Sequence, residues 1–403
     1  MAVVRARFIP EVLQVHLDDL AFIAGQRRAA LTSQRHTLRE FGELSERLEA
    51  HVQGALIAPA DALLDRLQSQ LSAPDRDEAF AAACVLLRTT SVAAENAVIV
   101  EFSRARGAAL AGLRDALSLA PAGRCMAELH SAFGQAKPAT AAAATVALAN
   151  QRQLDRAAPR LATLLEDGDP AVCELAWRAA LMADAAKPSA APVRPFQSGT
   201  SNAAIGVRDA AWAAMAWSGQ PTTLPWLRSR AEAGDAVALQ WLAILGTADD
   251  ALQVQKAALA LEDVNARCML LARFGHPSAL NALVRWMSSE DIVLSAAAGA
   301  AFTRITGQDI RAERRSWPVA EGADEFDRDM APDLWMPDVK KALSLMQRHA
   351  ERWIAGTRWC QGLRLDGEVS RELLLQLDLQ ARWDAAARAA LAGRPISAPP
   401  PIH

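Results

Sequence analysis

The sequence predicts an all-α protein, an α-solenoid of stacked helix pairs, and three observations carry that prediction. First, 51% of the 403 residues are apolar, much of that alanine, while aromatics reach only 5% and tyrosine is absent. Alanine favours helix and lets helices approach closely. Second, Gly219, Gly246, Gly275 and Gly307 each close an apolar helical run, at spacings of 27, 29 and 32 residues. Glycine just past a helix suits a left-handed C-terminal cap. Third, Val172 precedes Trp177 by five residues, Val207 precedes Trp212 by five, and Ala236 stands in the same relation to Trp241. A period of about 30, with two short helices and a turn per unit, marks a HEAT-like solenoid whose units bury their apolar faces only by stacking.

In chain order, Val12, Leu13, Leu17, Leu20 and Ala24 mark one amphipathic helix, and Leu38, Phe41, Leu44, Leu48, Val52 and Leu56 a second. Long helices at the end of a solenoid cap its apolar edge, so residues 1–75 read as an N-terminal helical cap. Residues 79–87, 107–119 and 138–149 read as second helices of repeat units, and 155–165 as the first helix of the unit completed by 170–182. Asp169, Asp235, Asp263 and Asp291 precede second helices as N-caps. Leu224, Leu252 and Leu280 recur after the glycines, and Pro221 and Pro277 can open the next helix. Pro188, Pro192, Pro195 and Gly199 make 185–200 a loop between units. The repeat solenoid covers 76–307. An acidic segment and C-terminal helices at 339–354 and 371–391 fill 308–393, and the proline-rich tail 394–403 is expected to be disordered.

A net charge of −3 and a pI near 6.2 give no global reason to expect nucleic acid or an anionic membrane as partner. Cys84, Cys125, Cys173, Cys268 and Cys360 form no C-x-x-C pair, which fits core thiols in a reducing compartment. The first residues lack a signal-peptide pattern, and no apolar run approaches the length of a membrane span. These features predict a cytoplasmic protein without a membrane partner.

Signals for chemistry are sparse. None of the seven histidines is followed by glutamate, so the His-Glu pairs of di-iron HEAT-repeat hydroxylases are missing. His16 and Asp19 lie one turn apart, with His36 and His51 on the next helix; a metal site is conceivable, and the expected role is to tie the cap helices together. There is no phosphate-binding loop, dinucleotide turn or nucleophile elbow. Cys268 and Cys360 read as core thiols rather than nucleophiles. No catalytic residue, metal or cofactor is therefore expected.

Two features could bind a partner. Trp177, Trp212 and Trp241 share one position of the second helix, where they would either fill the repeat core or form an aromatic stripe that stacks bases or anchors a protein. The second helices carry almost no Lys or Arg, which argues against nucleic acid. The acidic run Glu321, Asp324, Glu325, Asp327, Asp329, Asp333 and Asp338, with Trp335 as anchor, would either cover a basic partner face or serve as a solvated linker. The candidate binding residues are thus Trp177, Trp212, Trp241, Asp324, Asp327, Asp333 and Trp335.

Motifs near the two ends carry a family resemblance. They are Ile9-Pro10-Glu11-Val12 with His16, Asp18-Asp19 and Ala21-Phe22; Leu44-Ser45-Glu46-Arg47-Leu48-Glu49-Ala50-His51; Leu334-Trp335-Met336-Pro337-Asp338; and Gly356-Thr357-Arg358-Trp359. Together they resemble an uncharacterised proteobacterial HEAT-repeat family found in type VI secretion gene neighbourhoods. Ser45 and the run Gln53-Gly54-Ala55 depart from its pattern. The resemblance implies a non-catalytic protein-binding scaffold, an adaptor/chaperone or immunity protein for a secretion effector. The rival readings are a HEAT-repeat enzyme of the DNA glycosylase or lyase kind and a self-associating structural spacer.

Overall fold

The computed structural model describes residues 9–121, 123–185, 194–318, 322, 324, 326, 330–354, 356–365 and 369–400. The chain is mostly helical, as expected, with two short antiparallel hairpins that the sequence pattern did not announce. It forms two compact units. One comprises Met1–Gln220, Asp378–Trp383 and Ser397–His403, the other Pro221–Leu377 and Asp384–Ile396.

The first unit opens with α1 (Pro10–Ala30) and α2 (Leu38–Ala55). Pro10 starts α1 where a missing N–H is harmless. Thr37 and Glu40 form a reciprocal capping box at the start of α2. Then follow α3 (Ala60–Leu67), α4 (Arg76–Leu86), α5 (Val92–Arg104), α6 (Gly107–Ser118), α7 (Met126–Gln135), α8 (Pro138–Asn150), α9 (Pro159–Leu165), α10 (Pro170–Ala185), α11 (Phe196–Thr200) and α12 (Ile205–Trp217). Helix α1 packs on α2 and α4. From there the even-numbered helices form a row, α4 on α6, α6 on α8, α8 on α10 and α10 on α12, while α7, α9 and α11 each pack on the helix that follows. Every residue of α8 from Thr140 to Ala149 is buried. A helix apolar on all sides belongs inside a core, and alanine is what lets neighbours approach from every direction. Buried Asp115 is not left as a bare charge, because Arg76 and Arg114 both pair with it. Residues 378–383 join this unit through Leu379 N–H, which donates to His36 O at 2.8 Å, and Trp383 Nε1, which donates to Leu31 O at 2.7 Å.

The second unit contains α13 (Thr223–Glu232), α14 (Ala236–Leu245), α15 (Ala251–Leu259), α16 (Val264–Phe274), α17 (Leu280–Met287) and α18 (Ile292–Thr306). Here α14 packs on α16 and α16 on α18, while α13, α15 and α17 each pack on the next helix. Asp235, Asp263 and Asp291 cap as anticipated, each accepting two backbone N–H bonds. Gly275 and Gly307 end α16 and α18 with φ of 70° and 69°, the left-handed caps foreseen. Gly246 does not: its φ is −58° and the chain leaves α14 extended. The leucine repeat also slips, because Leu252 is exposed and Val254 takes the buried place in α15.

Beyond Gly307 come β1 (Arg311–Ser316), β2 (Asp333–Pro337), α19 (Val339–Arg348), β3 (Trp359–Cys360), β4 (Leu363–Arg364), α20 (Arg371–Gln376) and α21 (Leu379–Leu391). The helix expected over 339–354 stops at Arg348, and the one over 371–391 is broken by extended Leu377. The tail expected to be disordered is placed through Pro400, with Pro399 buried. Of the loop read over 185–200, residues 186–193 lie outside the described residues.

The Gly356-Thr357-Arg358-Trp359 motif has a structural role in the second unit. Arg358 is buried, and its guanidinium donates to Phe274 O at 2.6 Å, to Ile244 O at 3.1 Å, and to the carbonyls of Ala243 and Gly246. These are C-terminal carbonyls of α14 and α16, which lack partners within their own helices and sit at the negative end of the helix dipole. Trp359 N–H then donates to Gly275 O at 2.8 Å. One buried cation thus closes two helices. Among the described residues, no helix is long and apolar enough to cross a membrane.

Candidate protein-binding surface

The structure separates the seven candidate residues. Trp177, Trp212 and Trp241 are only 0%, 0% and 7% exposed. The Trp177 ring lies 5.6 Å from that of Phe196, and a Cβ at Gly199 would come within 2.6 Å of the indole. An indole enclosed in this way has no face left for a base or a partner, so of the two readings of Trp177, Trp212 and Trp241 the burial favours core filling over a binding stripe. The reason is volume: alanine-rich helices leave gaps that a large side chain fills. Asp327 lies outside the described residues, and Asp324 is exposed. Asp333 and Trp335 come together on β2.

Their hairpin starts at Asp309, whose carboxylate accepts the backbone N–H of Arg311 at 3.0 Å and turns the chain into β1. β1 pairs antiparallel with β2, placing Arg314 opposite Trp335 and Ser316 opposite Asp333, with a register shift between Arg311 and Arg314. Strand alternation sends Met336 inward, where it is buried, and leaves Trp335 outward at 39% exposure. Behind the strand, Gly299 of α18 makes room for Pro337: a Cβ there would stand 2.7 Å from the proline Cβ.

The outward face is built by Trp335 and arginines. The Arg314 Cζ lies 4.5 Å from the indole centroid and the Arg311 Cζ 5.1 Å, both within cation–π range. Each arginine of β1 also has a carboxylate. Arg311 pairs with Asp309 at 2.8 Å, Arg314 with Asp333 at 3.4 Å, and Arg315 with Glu313. The Arg311 side chain, and then its backbone N–H, hold the Asp309 carboxyl well below the usual carboxylate range. Around Asp333 the surface therefore carries both charges, while residues 321, 325, 327 and 329 of the acidic run lie outside the described residues. Arg311, Arg314 and Arg315 were missed because the segment was read for its acids. The available signal was the short run Arg-Ala-Glu-Arg-Arg-Ser following the Gly307 stop and the Asp309 turn residue.

All six residues of β1 are exposed. Tryptophan and arginine are the side chains most often found to dominate binding energy at protein interfaces. The geometry offers a pre-positioned indole, flanked by guanidinium groups that can exchange their carboxylate partners. No protein family, curated protein or solved structure matches the chain.

Proposed function

We propose that this chain is a non-catalytic binding protein, each of its two units a stack of HEAT-like helix pairs, and that it holds a secreted partner on the hairpin around Trp335. The stacking reading is supported by a pattern repeated within each unit, from α4 to α12 and from α14 to α18, in which alternate helices pack in a row and most take the helix before them as a partner. The binding reading rests chiefly on one observation, an exposed indole held between Arg311 and Arg314. Core-filling tryptophans explain themselves; an exposed one braced by arginines is a contact surface in waiting. The partner class comes from the family resemblance: a type VI secretion effector or secretion component, with this chain as adaptor/chaperone or immunity protein.

A photo-reactive amino acid at position 316, on exposed β1 opposite Asp333, tests this in cells that carry the secretion system. Cross-linking to one effector or secretion protein is the expected result, with loss of that capture on Arg314→Ala. Recovery of the same partner at an equal yield by Trp335→Ala chains would overturn the hairpin as the binding surface. A captured effector whose toxicity is neutralised identifies the immunity role, and one whose loading depends on the chain identifies the adaptor role.

A further inference from the structure

We infer that α1 and α2 hold a metal site for zinc or a similar borderline transition-metal ion, with His16, His51 and Asp19 as its protein ligands. The Nδ1 atoms of His16 and His51 face each other at 3.2 Å, and Asp19 Oδ2 stands 3.7 Å from His51 Nδ1. His16 and Asp19 are three residues apart on α1, so one turn presents both toward α2. Two nitrogens bound to one tetrahedral zinc at about 2.0–2.1 Å stand roughly 3.3–3.4 Å apart, close to the spacing of the two rings. A hydrogen bond between imidazoles needs one proton and two nitrogens and makes no use of a carboxylate. Here a carboxylate stands beside the same pair, too far for a hydrogen bond to His51 and near enough to enter a coordination shell by a rotamer change. Among the described residues no three histidine, cysteine or carboxylate side chains are already arranged to hold a metal ion, and the site therefore forms only when Asp19 swings from its 3.7 Å position onto the histidine pair.

A second observation concerns how His16 is aimed. Gly54 lies inside α2, where glycine is a poor helix former. A Cβ at this position would stand 2.6 Å from both Cε1 and Nε2 of His16. The glycine seats the far edge of the imidazole against the α2 backbone, which turns Nδ1 toward His51. The rings meet edge to face, their planes at 69°. The imidazoles are half-buried and Asp19 is half-exposed, so an ion can reach the site from solvent. Two imidazoles and one carboxylate form a donor set suited to zinc, with a fourth position left for water.

The test uses the full chain, stripped of metal and titrated with Co(II) and then Zn(II). The expected result is one Co(II) per chain with visible d–d absorption, displacement by Zn(II), and a higher thermal midpoint with Zn(II). His51→Ala and His16→Ala abolish the absorption and the stabilisation, and Asp19→Asn weakens both. His130→Ala, an exposed histidine elsewhere in the first unit, changes neither. Gly54→Ala keeps every ligand but displaces the His16 ring, and it lowers metal affinity in chains whose helical circular dichroism is unchanged. Absence of Co(II) absorption with the folded chain, or absorption that survives His51→Ala, overturns the site.

Discussion

At the scale of single residues, two buried polar groups give measurable predictions. Arg358 satisfies carbonyls of α14 and α16 at once. Arg358→Ala removes the donor to the Phe274, Ala243 and Gly246 carbonyls, while Ile244 O keeps its bond from Arg388, and should cost about 3–5 kcal/mol in urea unfolding of the second unit. Arg358→Lys should recover little, because an ammonium lacks the planar fork that reaches several acceptors. His276 is buried, and its Nδ1 accepts the Ser278 N–H at 3.3 Å. Burial, then the nearby Arg358 charge, lower its pKa below the ordinary imidazole value. The folded state therefore binds fewer protons than the unfolded state. The stabilisation is present above about pH 6.5 and is lost as pH falls toward the folded value. Stability measured from pH 7.5 down to 5 should fall less steeply in His276→Asn than in the wild type.

At the scale of elements, caps and close approaches set the outcome. Asp235, Asp263 and Asp291 each cap a second helix, so alanine at any one should cost about 1 kcal/mol. Those costs should add in the multiple mutant, because each aspartate accepts the backbone N–H groups of a separate helix. Gly299→Ala sets two effects against each other. Alanine improves α18 by up to about 1 kcal/mol, but its methyl needs the space now filled by the Pro337 ring. The expected result is unchanged helical circular dichroism with reduced cross-linking from position 316, because β2 shifts while α18 survives. Trp177→Ala removes a fully buried indole and should cost about 3–5 kcal/mol by denaturant titration.

At the scale of the whole molecule, the helices of each unit pack mainly on helices close to them in sequence, so cooperativity need not extend along the chain. All 11 tryptophans lie at or beyond Trp177, whereas helices are found from Pro10 onward. Tryptophan fluorescence therefore reports chiefly on the later helices, with the Trp383 indole bonded to the α1 end at Leu31, and far-ultraviolet circular dichroism reports on all helices. Urea titrations followed by the two signals should give separated midpoints; coincident curves would indicate a single cooperative unit.

Local rules were legible because neighbouring residues satisfy them. Aspartate before a helix caps it, glycine after one turns it, and an alanine-rich apolar run stays helical whatever packs on it. Those signals placed most second helices and read His16, His36 and His51 as ties between the first two helices; the structure brings His16 and His51 together and leaves His36 just before α2. What they did not reveal depends on groups distant in sequence. Trp177 and Trp335 are the same residue type, yet one is enclosed by α10 and its neighbours and the other stands on an exposed strand. Asp333 read as part of an acidic run until β1 placed Arg314 beside it. The sequence by itself determined a mostly helical chain with its caps and its stock of buried apolar residues. Tertiary structure alone decided which tryptophan meets solvent and which charges are already paired, because burial and pairing depend on what packs against a side chain rather than on what precedes it.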